Sequence, residues 1–358
     1  MTSLNSIRYS LIPQMKAYDV IGHEWKPYLM FLQKSNFKSQ FVNTDSFGLR
    51  YSTSRDNTNI PYTLIDKPSS KLLDEFAIVG GSTAFGVGAS SDNDTIASHL
   101  SQMNKVNVYN LGGRAFSGFQ SLILFQILAS RLSNLKYLII MSSINDIFLP
   151  HYVKLRDNNL APFYYQNNFY EQLNQPTTST LKKILHNILP SKKKQEIDWL
   201  WDDKYKILKK IFNLKQKKQA ESNANAQTFN YKKSTVDTLK IWKMFSDSMN
   251  FKVIYAVDTI QKWSNHELSD EERKIFGMLK KSYSKKINNV LNQLSIDRYD
   301  EYKNFIKEEC IKNDFMYLDT NKVISDPKYN KKWLFVDSMH YTDLGYKIIA
   351  EALNTLIK

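Results

Sequence analysis

Five short apolar runs constrain this chain more than any other feature: Phe76–Val79, Val106–Tyr109, Tyr137–Met141, Val253–Val257 and Phe315–Leu318. Each is four or five residues long and is bounded by turn or polar residues, as expected of strands buried on both faces. Helix-compatible segments such as Ser121–Leu132 and Glu271–Leu294 separate them. Alternating strands and helices predict an α/β fold, a parallel sheet with helices on both faces. Ligands of such sheets lie beyond the carboxyl ends of the strands. The least ordinary residues of this chain follow directly on three of the five runs.

Two regions depart from the alternation. Residues 1–70 precede the first strand and carry aromatic-rich stretches such as Trp25–Phe31; they are expected to form an N-terminal extension packing on the core. Residues 151–235 are rich in Lys, Asn and Gln and read as a basic, mainly helical insertion, with helix-like pieces at Leu181–Leu189 and Ile197–Phe212 and a polar linker at Gln216–Thr228. The core domain is then 71–150 together with 236–358.

With 358 residues, 42% of them hydrophobic, a sizeable core can form. The single cysteine, Cys310, excludes an intramolecular disulfide and fits a reducing compartment. The first twenty residues carry Arg8 and Lys16 among polar neighbours and contain no long apolar run. A secretory signal and a transmembrane segment are therefore not expected, and the reading is a cytoplasmic protein. The net charge of +14 invites a nucleic-acid partner. No zinc-ligand spacing, RNA-recognition signature or phosphate-binding loop accompanies it, so an anionic small substrate or glycan is the expected partner.

The first strand runs into Gly80-Gly81-Ser82-Thr83, which would hold Ser82 on a tight turn at the sheet edge and at the amino end of any helix that follows. A plain helix cap or a phosphate-binding turn would look the same. Near the other end, Asp337 and His340 stand three residues apart before an amphipathic segment, Leu344–Ile357. At that spacing a carboxylate can fix the tautomer of an imidazole and leave its second nitrogen free to take a serine proton. A surface acid beside a solvated histidine is equally compatible. The third strand ends in Asn145-Asp146, where a carboxamide can serve a developing oxyanion or simply close an Asx turn. The remaining histidines, His23, His99, His151, His186 and His266, have no such setting and read as surface or packing residues.

Taken in order, Gly80-Gly81-Ser82-Thr83, Asn110-Leu-Gly112-Gly113-Arg114-Ala115, Asn145-Asp146 and Asp337-Ser-Met-His340 resemble the motif blocks of the SGNH (GDSL-like) hydrolases. The likeness covers roughly residues 74–150 and 250–355. Upstream, Phe41–Arg50 is similar to a lead-in found in relatives from surface-polysaccharide biosynthesis loci. The resemblance implies a flavodoxin-like three-layer α/β/α fold with a five-stranded parallel sheet. It implies Ser82 as nucleophile, His340 as base and then acid, Asp337 as its orienter, and an oxyanion hole made by the Ser82 N–H, the Asn145 side chain and an N–H of the second block. That last donor is Ala115 on a gap-free reading or a neighbour such as Gly113. Gly81 stands where the family usually has an acidic residue, and Ser143 where it commonly has glycine.

The expected activity is a serine-dependent O-acyl esterase, in the first instance an acetyl esterase, acting on a carbohydrate or other small ester. The alternative is an O-acyltransferase that uses the same triad to move acetyl from acetyl-CoA to a polysaccharide hydroxyl. No cofactor or metal is implied beyond acetyl-CoA as co-substrate in the second case. The basic insertion is the expected seat for an anionic glycan or CoA.

Overall fold

The computed structural model describes residues 4–53, 60–66, 73–142, 144–153, 161–173, 230–282, 291–292 and 294–357. Four short strands lie in the N-terminal region and form two small antiparallel pairs, β1 (His23–Lys26) with β2 (Met30–Gln33) and β3 (Ser52–Thr53) with β4 (Pro61–Tyr62). The five apolar runs form one parallel sheet of β5 (Glu75–Gly80), β6 (Asn107–Gly112), β7 (Leu135–Met141), β8 (Lys252–Val257) and β9 (Met316–Asp319), in the order β6-β5-β7-β8-β9. The chain leaves β5 for the edge, then crosses back to β7, so the strand order reverses beside β5. This is the flavodoxin-like arrangement, in which the crevice at the reversal receives ligands.

Alternation along the strands divides the core into two faces. Ala77, Val79, Leu138, Ile140, Val253 and Tyr255 point one way, against the helices Gly118–Leu128, Tyr231–Met249 and Ile296–Lys312. Phe76, Ile78, Ile139, Met141, Ile254 and Ala256 point the other way, against Ile96–Asn104 and Asp343–Asn354. Burial on both faces is why these strands read as continuous apolar runs. The helix Gly118–Leu128 starts at a capping box in which Ser117 and Gln120 satisfy each other's backbone N–H groups. Among the described residues no helix is long and apolar enough to cross a membrane.

The N-terminal residues belong to the same core. Leu29, Phe31, Leu49, Tyr62 and Leu64 join the first face, while Ile12, Met15, Tyr18 and Ile21 pack on Phe85, Val87 and Val336. Arg50, fully buried in the lead-in segment, ties the two parts together. Its Nε donates to Asp92 (2.9 Å), Nη1 to the Gly86 carbonyl (2.6 Å) and the Tyr18 hydroxyl (2.8 Å), and Nη2 to the carbonyls of Phe41 and Ser91 (3.1 Å each).

The expected start of the second core segment at residue 236 falls within the continuous helix Tyr231–Met249. Lys232, Lys233 and Ser234 make its first turn look like polar insertion, although Leu239 and Trp242 seat the same helix on the sheet. The pieces Leu181–Leu189, Ile197–Phe212 and Gln216–Thr228 lie outside the described residues.

The carboxyl end of β5 admits no side chain. Gly80 has φ +144°, and a Cβ there would fall 1.7 Å from the Met141 carbonyl oxygen. Gly80→Ala should therefore lower the unfolding free energy by several kcal/mol, on the order of 3 or more, from strain and overpacking together. Gly277, inside the helix Asp270–Ser282, has nothing among the described residues within 4 Å of its would-be Cβ, and Gly277→Ala should stabilise by about 0.5–1 kcal/mol. Urea unfolding of both variants checks the pair; similar destabilisation by the two would contradict the crowding at Gly80.

Candidate active site

Ser82 is the first residue of a one-turn helix, Ser82–Phe85, that leaves β5 through Gly81. Its carbonyl accepts the N–H groups of Gly86 (2.9 Å) and Val87 (3.0 Å), which closes the turn and points the chain back over the sheet. Its own N–H has no acceptor among the described residues.

The loop before the C-terminal helix supplies the groups that face it. Phe335 and Tyr341 form an antiparallel bridge, and the Val336 N–H donates to the His340 carbonyl (2.9 Å). Within that turn the Asp337 carboxylate accepts the backbone N–H groups of Met339 and His340, both at 2.9 Å. The carboxylate also accepts from the ring, with His340 Nδ1 2.7 Å from Oδ2 and 2.9 Å from Oδ1. A carboxylate can only accept, so Nδ1 carries the proton and Nε2 is left as an acceptor. Ser82 Oγ lies 2.7 Å from that Nε2. Asp337 and His340 are buried and Ser82 is half-buried. Burial opposes ionisation of Asp337, but attraction to the His340 ring when it is protonated, the hydrogen bond from that ring, the Met339 N–H and the Arg8 charge together hold the carboxyl below its ordinary range.

Asn145 sits in the first turn of the helix Ile144–Tyr152, after β7. Its Nδ2 donates to the Phe116 carbonyl (2.7 Å) and lies only 2.7 Å from where a Cβ on Gly81 would be. Any side chain at 81 would thus press on the carboxamide. The turn after β6 comes to the same place. Gly113 donates its N–H to the Gly80 carbonyl (2.9 Å), and the Ala115 N–H has no acceptor among the described residues. Ala115 holds φ +60°, in the left-handed region. One cavity is lined by Ser82, Ala115, Asn145, Asp337 and His340, residues more than 250 positions apart at the extremes. Ser143 lies outside the described residues.

Other cavity-lining residues carried no signal in the sequence. Phe148, Tyr152 and Tyr164 form a ring stack along one wall, with centroids 5.2 and 5.0 Å apart. Arg8 reaches the same cavity from the N-terminal helix Leu4–Leu11. Asp258, just beyond β8, is buried there as well. Burial raises its carboxyl to about 7, despite the Ile144 N–H, with the nearby Asp146 charge adding to the rise. Asp146, which accepts from the Gly118 N–H (2.9 Å) and the Ser142 hydroxyl (3.2 Å), is itself raised by burial to about 6. Of the remaining histidines, His266 is buried against Glu272 (3.1 Å) and His23 pairs with the Tyr165 hydroxyl (2.9 Å). His186 lies outside the described residues. Among the described residues no group of three or more His, Cys, Asp or Glu is arranged to hold a metal ion.

No family model matches the chain, and no curated protein matches it. Its structure is similar to that of a protein described as an acylhydrolase from Bacteroides fragilis, at 12% identity over 81% of this chain and 89% of that one, with a TM-score of 0.40. It is also similar to a variant of an acetyl-xylooligosaccharide esterase from Geobacillus (12% identity, 81% and 94% covered, TM-score 0.40). A lipolytic G-D-S-L family member from Veillonella parvula matches at 11% identity, with 79% and 98% covered and a TM-score of 0.39.

The buried acid makes stability depend on pH. The Asp258 carboxyl is raised to about 7 in the fold, against about 3.9 when unfolded. Between those values the folded chain holds a proton that the unfolded chain has lost, so stability falls as pH rises through that window. Asp258→Asn removes this group's slope and should gain on the wild type from pH 5 to pH 8. Denaturant unfolding of both proteins at the two pH values measures it; an unchanged difference would mean that Asp258 is ionised throughout.

Proposed function

We propose that this chain is a serine-dependent O-acyl esterase of the SGNH type, acting on an acetylated carbohydrate or a comparable small ester. The observation that carries the reading is the unbroken hydrogen-bonded line from Ser82 Oγ through His340 to Asp337, with 2.7 Å at both junctions, opening on a cavity. A buried imidazole positioned between a carboxylate and a hydroxyl is the arrangement that makes a serine nucleophilic.

In this mechanism Ser82 Oγ attacks the acyl carbon while its proton passes to His340 Nε2. Asp337 keeps Nδ1 protonated and stabilises the imidazolium that forms. The carbonyl oxygen becomes an oxyanion, received by donors that have no partner among the described residues: the Ser82 N–H, the Ala115 N–H and the second N–H of the Asn145 carboxamide. Gly113 is a poorer candidate because its N–H is already bonded to Gly80. Collapse expels the alcohol, which takes the proton from Nε2. A water then gives its proton to Nε2 and attacks the acyl-serine, which releases the acid and restores Ser82. A sugar hydroxyl in place of that water would make the reaction a transfer, with acetyl-CoA as donor. The lysines of the 151–235 stretch would then attract an anionic glycan or CoA.

Ser82→Ala and His340→Ala should each abolish turnover of an acetyl ester with the fold intact, while Asp337→Asn should reduce it by roughly 10²–10⁴-fold. A serine-reactive phosphonate should label only Ser82, read by peptide mass. Activity surviving in Ser82→Ala would end the assignment. Product analysis with acetyl-CoA and a glycan distinguishes transfer from hydrolysis.

Loss of an oxyanion donor should act on the transition state and leave substrate binding nearly alone. Asn145→Ala is expected to lower kcat by about 10²–10³-fold with little change in KM. An effect confined to KM would make Asn145 a substrate-binding residue.

A further inference from the structure

Arg8, Arg50 and Arg114 are all buried near the site, and the first two differ in one respect. Arg50 places every nitrogen of its guanidinium on an acceptor. Arg8, 2% exposed, donates through Nη1 to Asp19, whose carboxylate also accepts the Tyr9 hydroxyl at 2.8 Å. Its Nε and Nη2 are buried and have no hydrogen-bond partner among the described residues. Those two nitrogens form the side-on edge of a guanidinium, the edge whose parallel N–H groups match the two oxygens of a carboxylate. A buried donor with no acceptor is unfavourable, and a purely structural arginine would be expected to resemble Arg50.

Arg8 also has the right neighbours for a ligand group. It lines the same cavity as Ser82 and His340, and it is the sole Lys or Arg among the described residues that do. Its charge is felt at Asp337. The aromatic stack of Phe148, Tyr152 and Tyr164 forms another wall, a surface suited to the apolar face of a sugar ring. We infer that Arg8 is a specificity residue that binds a carboxylate on the alcohol portion of the substrate, so that the ester acted on belongs to an acidic sugar or a similar carboxylate-bearing alcohol. This rests on the esterase reading above for the chemistry at Ser82, but the binding claim is separable from it.

Two arms test the inference. In the first, turnover is compared for an O-acetylated methyl glucoside and the matching methyl glucuronoside, which differ only in CH₂OH against carboxylate. The wild type should prefer the acidic ester by roughly 10–100-fold in kcat/KM, mostly through KM, as a bidentate charged hydrogen-bond pair would give. Arg8→Gln should erase that ratio, and Arg8→Lys, which keeps the charge without the planar edge, should retain a part of it. Turnover of both esters at equal efficiency by the wild type would overturn the inference and leave the serine esterase standing. The second arm needs neither a variant nor turnover: calorimetric titration of the wild type with methyl glucuronoside, methyl glucoside and inorganic phosphate. Tighter binding of the glucuronoside than of both others supports the carboxylate site even if no ester is hydrolysed. Equal binding of the two glycosides, or phosphate binding as tightly as the glucuronoside, overturns it.

Discussion

At the carboxyl end of β5, three backbone segments meet with no room for a Cβ between them. Gly80 lies against the Met141 carbonyl at the end of β7, Gly81 against the Asn145 carboxamide, and Gly112 against the backbone of Ala84 and Phe85, where a Cβ would come within 2.2 Å of the Phe85 nitrogen. This contact brings the ends of β5, β6 and β7 into register at one point. Because Ser82, Ala115 and Asn145 follow those three strand ends, their mutual placement is a consequence of main-chain packing. Gly80, whose carbonyl accepts the Gly113 N–H and whose φ is positive, is the residue on which both neighbouring strand ends converge.

Around this junction the charged groups are enclosed under different degrees of compensation. Arg50 is met on all sides and clamps the lead-in segment to the end of the Ser82 helix through Gly86 and Asp92. Asp337 collects two backbone N–H groups and the His340 ring, enough to keep it ionised against burial. Burial drives Asp258 and Asp146 towards the neutral acid despite the hydrogen bonds that each accepts. Asp337 differs in facing the His340 ring, whose charge when protonated and hydrogen bond oppose the desolvation that favours the uncharged form. Buried acids with raised affinities are common beside reacting groups; here one of them lines the cavity itself.

The N-terminal residues complete the site as well as the core. Met15 and Arg8 stand in the cavity wall, and the helices that carry them pack on Phe85, Val87 and Val336, the residues flanking Ser82 and Asp337. The Tyr18 hydroxyl donates to the carbonyls of Gly86 (2.9 Å) and Ala89 (2.8 Å). A sheet of this kind leaves the crevice beyond its strand ends open, and this extension closes one side of it.

The sequence by itself determined the five strands, their parallel pairing and the candidacy of Ser82, Asn145, Asp337 and His340, because those depend on local signals. Burial on both faces leaves an unbroken apolar run, and a glycine pair before a serine marks a turn, whatever lies elsewhere in the chain. Tertiary structure alone decided which second-block N–H is left without an acceptor among the described residues, since Gly113 loses its own to Gly80 across the strand ends while Ala115 does not. It also decided that Arg8, Asp258 and the Phe148, Tyr152 and Tyr164 stack share a cavity with Ser82. Those placements depend on contacts between segments far apart in the chain, and an arginine in a short polar helix looks the same in sequence whether it faces water or a buried pocket. The helix Tyr231–Met249 was obscured for the same reason, its lysine-rich first turn resembling the stretch before it until Leu239 and Trp242 meet the sheet.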